Sequence, residues 1–435
     1  MTLTTPITVI RGRFLDIQKT VAQANQIADQ VRYLEDGVLI TEQGKIRWFG
    51  TWNDAQDHLP INIEIQHYPE QLIIPGMIDT HIHFPQTEMV GAYGEQLLSW
   101  LNTYTFPTEI QFKDKAYASE IAKFFVNELL KNGTTTALVF CTVHPESVDA
   151  LFEAAEQHQM RLIAGKVMMD RHAPEALCDS ADSSYDDSKA LIEKWHGQGR
   201  ALYAITPRFA PTSTPEQLER AGQLKAEYPD VYVHTHLSEN KDEIAWVKDL
   251  FPAQKGYLDV YHHYGLTGQR SVFAHCVHLE DAEWQCMHET DSAIAFCPTS
   301  NLFLGSGLFP LNKTWQQQVK VGLGTDVGAG TSFSLLQTVN EAYKVQQLQG
   351  DKLSAFESLY HATLGGAKAL DLDDKLGNFN VGKEADFVVL NLKPTALQQL
   401  RQSRAKSLED SLFALFTMGD DRNVEATYIY GQKAY

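Results

Sequence analysis

GMIDTHIH (Gly76–His83) is a short apolar run closed by two histidines, and it opens a pattern that repeats as far as Val327. Runs of strand length follow at intervals: TTTALVF (Thr134–Phe140), RLIAGKVMMD (Arg161–Asp170), ALYAITPRF (Ala201–Phe209), VYVHTHLSE (Val231–Glu239), SVFAHCVHL (Ser271–Leu279), SAIAFCPTS (Ser292–Ser300) and VKVGLGTDV (Val319–Val327). Between them lie stretches of helical periodicity, such as DKAYASEIAKFFVNELLKNG (Asp114–Gly133) and TPEQLERAGQLKAEYP (Thr214–Pro229). Strand and helix in alternation imply parallel strands, and eight such units predict an α/β fold, a (β/α)8 TIM-like barrel. A doubly wound sheet competes, but no G-x-G-x-x-G follows the first strand and no Walker loop occurs.

Outward from this middle the chain turns β-rich in both directions. ITVIRGRFLDI (Ile7–Ile17), GVLITEQGKIRWFG (Gly37–Gly50) around a Gln43-Gly44 turn, IEIQHY (Ile63–Tyr68) and QLIIPG (Gln71–Gly76) read as short strands. FNVGKEADFVVLNL (Phe379–Leu392) and VEATYIYGQKAY (Val424–Tyr435) do the same at the other end, separated by a helical stretch from about Leu397 to Phe413. The expectation is a small β-sandwich domain built from both termini, 1–75 plus 378–435, beside a barrel over 76–377.

Composition bounds what such a protein does. The 435 residues carry 43% apolar and 21% charged side chains, with Gly and Pro scattered, which fits a globular enzyme and excludes disordered and collagenous classes. A net charge of −19 repels phosphate backbones and anionic membranes, so no nucleic acid and no membrane are expected as partners. The five cysteines are odd in number and far apart, without C-x-x-C, which points to a reducing, cytoplasmic location. MTLTTPITVIRGRF places its arginines after the apolar stretch, unlike a secretory signal, and no run approaches the roughly 18 apolar residues of a membrane span.

In a barrel, reactive groups sit where strands end and loops begin. Here those ends carry His81 and His83, Arg208-Phe209, His236 with Glu239, His275, and Asp326. His81 and His83 are spaced i, i+2 and so point to one face, into the barrel mouth. Alone, a histidine near a strand end is more often a hydrogen-bonded core residue. Together with His236 and Asp326 the pair suggests a metal site, because three imidazoles and a carboxylate suit Zn²⁺ or Fe²⁺ and leave a position for water. His234 and His278 are rivals for His236 and His275; His236 is preferred as nearer the mouth. Glu239, three residues past His236, is placed to shuttle a proton without binding the metal. No H-E-x-x-H and no G-x-S-x-G occur, and Cys297-Pro298 is not a P-C-x-x-C.

These residues resemble the amidohydrolase superfamily. PGMIDTHIH (Pro75–His83), HLSE (His236–Glu239), AHCVHL (Ala274–Leu279), CPTSNLFLGSG (Cys297–Gly307) and GTDVGAG (Gly324–Gly330) look like its successive barrel motifs, in order. Within it the guanine deaminase family is the nearest likeness, through HIHFPQTEMVGAYGEQLLSWLNTYTFPTE (His81–Glu109) and TPRFAPT (Thr206–Thr212). The resemblance implies a single Zn²⁺, with Fe²⁺ as the other possibility, on His81, His83, His236 and Asp326. It implies a purine, guanine, gripped by Gln86, Arg208 and Phe209, and catalysis by Glu239, His275 and Asp326. No lysine stands at the end of ALYAITPRF, so the carboxylated-lysine bridge of two-metal members is not expected. A homodimer is the expected assembly. The alternatives are a related deaminase acting on cytosine, a thioadenosine, an oxidised guanine or a triazine, or a non-catalytic scaffold on the same barrel.

Overall fold

Four strands precede the barrel: β1 (Thr8–Ile17), β2 (Val31–Glu42), β3 (Lys45–Thr51) and β4 (Ile65–Pro75). The computed structural model describes residues 7–93 and 97–435; the first six residues of the N-terminal stretch and 94–96 of the His81–Glu109 stretch lie outside it. The barrel strands are β5 (Met77–His83), β6 (Thr134–Phe140), β7 (Arg161–Gly165), the short β8 (Val167–Met168), β9 (Leu202–Pro207), β10 (Tyr232–Leu237), β11 (Ser271–His275), β12 (Ala293–Phe296) and β13 (Lys320–Leu323). They pair in parallel in the order β13-β12-β11-β10-β9-β7-β6-β5, with β8 paired to β9. First and last strands meet at the mouth, where the Thr80 hydroxyl donates to Leu323 O at 3.0 Å and Asp326 N–H to His81 O at 2.9 Å. The (β/α)8 architecture expected from the alternation is the one observed.

The helices cover the barrel with the faces their periodicity marks. In Lys115–Lys131, Asp114 caps the first turn by accepting from Ala116 N–H at 2.8 Å, and Ala118, Ala122, Phe125, Val126 and Leu129 face inward. Phe125 is fully buried, and truncating such a ring to Ala typically costs about 3–5 kcal/mol.

The remaining strands, β14 (Phe387–Leu390), β15 (Val424–Ile429) and β16 (Gln432–Lys433), join the first four in a separate mixed sheet of order β16-β15-β14-β4-β1-β2-β3. Both ends of the chain therefore build one unit, as their composition suggested. Buried arginines fasten it to the barrel: Arg161 pairs with Glu384 at 2.5 Å, and Arg200 with Glu384 at 2.6 Å and Asp386 at 2.5 Å.

Two local readings need correction. RLIAGKVMMD is not one strand, because the Lys166 N–H leaves the ladder for the Tyr203 hydroxyl, 3.2 Å away, and its ammonium turns to Asp179. The stretch from Leu397 to Phe413 is two helices, Ala396–Gln402 and Leu408–Met418, since Ser407 caps a new start by accepting from Asp410 N–H at 3.1 Å. Among the described residues no helix is long and apolar enough to cross a membrane.

Candidate active site

The polar strand ends converge. His81 and His83, on the last turn of the β5 pleat, and His236, on β10, bring three imidazole nitrogens within 4.8 Å of one another. Asp326 joins them just past β13: its Oδ1 is 3.1 Å from His81 Nε2 and 3.3 Å from His83 Nε2. Such closeness requires Gly324, where a Cβ would lie 2.9 Å from both Cys297 Sγ and His81 Cβ. Asp326 and His275 both adopt left-handed backbone conformations, φ 52° and 71°, which for non-glycine residues cost roughly 1–3 kcal/mol each and tend to mark functional sites.

Hydrogen bonds aim these rings. His236 Nδ1–H donates to Arg208 O at 2.7 Å, which leaves the Nε2 lone pair facing the cluster, 3.2 Å from His83 Nε2. His81 Nδ1 lies 2.7 Å from His234 Nε2, so His234 stands behind a cluster ring instead of joining it. His278 is likewise removed; its Nε2 donates to Ser306 O at 2.8 Å.

Burial pushes His83 down to about 3 and lowers His81 and His236, so their rings are neutral at pH 7. Burial works against the Asp326 carboxylate too, but the surrounding imidazoles outweigh it and hold the group well below the usual range. Three neutral lone-pair donors and one carboxylate form a nest for a cation. His81 Nε2 is buried and faces Asp326 Oδ1 at 3.1 Å without good hydrogen-bond geometry, an arrangement that a cation held by both would satisfy. The donor set thus fits one transition-metal ion.

Glu239 and His275 stand beside the cluster. Burial raises the Glu239 carboxyl, whose Oε1 accepts from the Ser306 hydroxyl at 2.9 Å. His275 Nε2 is 3.5 Å from Glu239 Oε2 and 3.7 Å from Asp326 Oδ2, and its Nδ1–H donates to Asn301 Oδ1 at 2.8 Å. Burial lowers His275, but the two carboxylates raise it by more, leaving it above the usual imidazole value.

Gln86, Arg208 and Phe209 line the same pocket as His83, Glu239 and Asp326. Arg208, 3% exposed, donates through Nη1 to Glu109 Oε2 at 2.7 Å. Gln86 donates to Glu109 Oε1 at 3.3 Å and accepts from Gly328 N–H at 3.2 Å. Both keep further hydrogen-bonding capacity for a ligand.

Residues 72–434 match the Amidohydrolase family. The chain belongs to that family. It is similar to the guanine deaminase of Escherichia coli (strain K12), 62% identical over 426 residues covering 98% of this chain and 97% of the relative. A solved structure of E. coli guanine deaminase superposes with a TM-score of 0.96 at 60% identity, covering 99% of each chain. The structure of guanine deaminase from C. acetobutylicum with bound guanine in the active site gives 0.89 at 30% identity, covering 99% of this chain and 100% of that one.

Within this amidohydrolase pocket, several contributors escaped the sequence reading. Glu109, Asn301 and Ser306 all lie inside quoted motifs, yet their partners are fixed only by folding. Cys297 also reaches the cluster, near His81, His275 and Asp326, but burial pushes its thiol well up and Sγ is directed at Ala295 O. A protonated thiol is a poor metal ligand.

Proposed function

We propose that the chain deaminates guanine hydrolytically to xanthine and ammonia, with a single Zn²⁺ held by His81, His83, His236 and Asp326. The observation that carries the reading is the buried Arg208 fork in the same pocket as the imidazole–carboxylate cluster. Guanine is planar and neutral, so it calls for a stacking face and convergent hydrogen-bonding groups. Phe209 supplies the face, the Arg208 fork meets the ring carbonyl, and the Gln86 amide meets the ring edge. Likeness to guanine deaminases over nearly the whole chain supports the same substrate.

When bound, the ion supplies Lewis acidity that makes hydroxide available near neutral pH. Asp326, ionised in this setting, accepts the proton released as the water oxygen bonds to the amino-bearing carbon. Glu239, whose neutral form burial favours, protonates the adjacent ring nitrogen. His275, raised by its carboxylate neighbours and oriented by Asn301, donates toward the attacking oxygen, where negative charge develops. The carbon–nitrogen bond then breaks, ammonia leaves with the proton that Asp326 had taken, and the proton left on the new oxygen returns to Glu239 as the carbonyl of xanthine forms.

The reading includes a homodimer working in the cytoplasm; its five cysteines are all free. A panel of guanine, adenine, cytosine and a triazine, scored for ammonia and for the deaminated product, tests it. Xanthine from guanine, with adenine inert, is expected; turnover of another base with guanine inert contradicts it.

A further inference from the structure

The short helix Phe106–Glu109 touches the substrate-reading side chains without belonging to the reacting centre. Glu109 is 1% exposed. Its two oxygens are divided between two elements: Oε2 accepts from Arg208 Nη1 beyond β9, and Oε1 accepts from Gln86 Nε2 in the turn after β5. Phe106, three residues earlier, lies under the Arg208 guanidinium, 5.5 Å from ring centroid to Cζ. One turn of helix thus holds Arg208 by charge and by an aromatic face, and holds Gln86 by the same carboxylate.

We infer that Glu109 is a positioning residue for purine recognition, aiming Arg208 at the ring carbonyl and Gln86 at the ring edge; the inference rests on the guanine reading above. A long guanidinium side chain that shares a pocket with Glu239 and Asp326 has two competing carboxylates to turn to. Glu109 neutralises it in place and keeps it from collapsing onto the groups that move protons. The bidentate fork then meets the ligand with little freedom left to lose. Both Glu109 oxygens accept hydrogen bonds from these side chains, and Glu109 is not one of the clustered imidazole and carboxylate groups.

The test is steady-state kinetics on guanine and on 2-aminopurine, which lacks the carbonyl, for the zinc-loaded wild type, E109Q, E109D, R208L and E109Q/R208L, with zinc content and Tm measured on each. E109Q is expected to raise KM for guanine by about 10-fold or more, to change kcat less, and to leave the zinc content intact. Efficiency on 2-aminopurine falls much less, so the preference for guanine narrows. E109D restores part of it. On the R208L background E109Q costs less than about threefold, because its charged partner is already gone and only the neutral Gln86 contact, which an amide oxygen can still accept, remains. Should E109Q fail to fold, E109D against wild type and the charge-free double variant against R208L make the same comparison. Equal losses on both purines, or a full additional loss on the R208L background, overturn the inference while leaving guanine deamination standing. A wild type inert toward guanine overturns that reading and this inference with it.

Discussion

The carbonyl oxygen of Arg208 lies 2.7 Å from Nδ1 of His236, so a single residue orients a cluster imidazole with its backbone and lines the substrate pocket with its side chain. The two tasks are separable, because substitution leaves the carbonyl in place. Arg208→Leu is therefore expected to retain its metal. It should lose roughly 30- to 1,000-fold in kcat/KM for guanine, the scale of about 2–4 kcal/mol for an unmatched polar group in a closed pocket. The gap to 2-aminopurine should narrow; an unchanged ratio would show that Arg208 does not read the carbonyl.

Glu239→Gln keeps the Ser306 contact available to its amide oxygen but loses the transferable proton. Turnover should fall by about 10²-fold or more with metal content unchanged. Loss of zinc in this variant, or full activity, would remove Glu239 from the proton-transfer role.

His236→Ala removes a neutral donor from the cluster, and His81→Ala another. Each should abolish stoichiometric metal binding along with activity, and a strong chelator should do the same to the wild type. Elemental analysis of the variants checks this; retention of bound zinc by both would mean that other residues hold it.

Glu243, which lines the same pocket without being one of the clustered donors, offers a pH test. Burial, reinforced by the Glu239 charge, pushes its carboxyl up to about 7, although Tyr257 donates to it at 2.6 Å and the Glu239 and Asn240 N–H groups at 3.1 Å each. A carboxyl raised by folding favours the folded state fully below its ordinary value near 4.5, and that contribution is lost as pH rises through about 7. Gln can accept from the two N–H groups and donate to the tyrosine hydroxyl without ever ionising. The Tm of Glu243→Gln relative to wild type should therefore improve from pH 5 to pH 8, by the equivalent of at most about 3 kcal/mol. A constant difference across that range would contradict the assignment.

Periodicity and strand-end polarity were enough to read the barrel and its flanking sheet, and to single out the four side chains proposed to hold the metal, because each is a local pattern repeated or placed at a fixed point of a strand. The histidines at i, i+2 illustrate this for His81 and His83. The same spacing made His234 a rival of His236, which position along the strand favoured; the fold adds the reason, by setting His234 behind His81. Glu109 was illegible for a different reason. Its meaning depends on Arg208, far along the chain, and no local pattern records a pairing made across a barrel. Lys166 shows the limit for secondary structure, since the tertiary bond its N–H donates to the Tyr203 hydroxyl interrupts an otherwise good strand.

The most direct test of the whole account is to titrate metal-free protein with Zn²⁺ while following xanthine formed from guanine. Activity is expected to rise linearly and level off at about one equivalent per chain, the capacity of a single three-histidine, one-aspartate site. Xanthine that never forms, or a rise that continues to two equivalents, would contradict it.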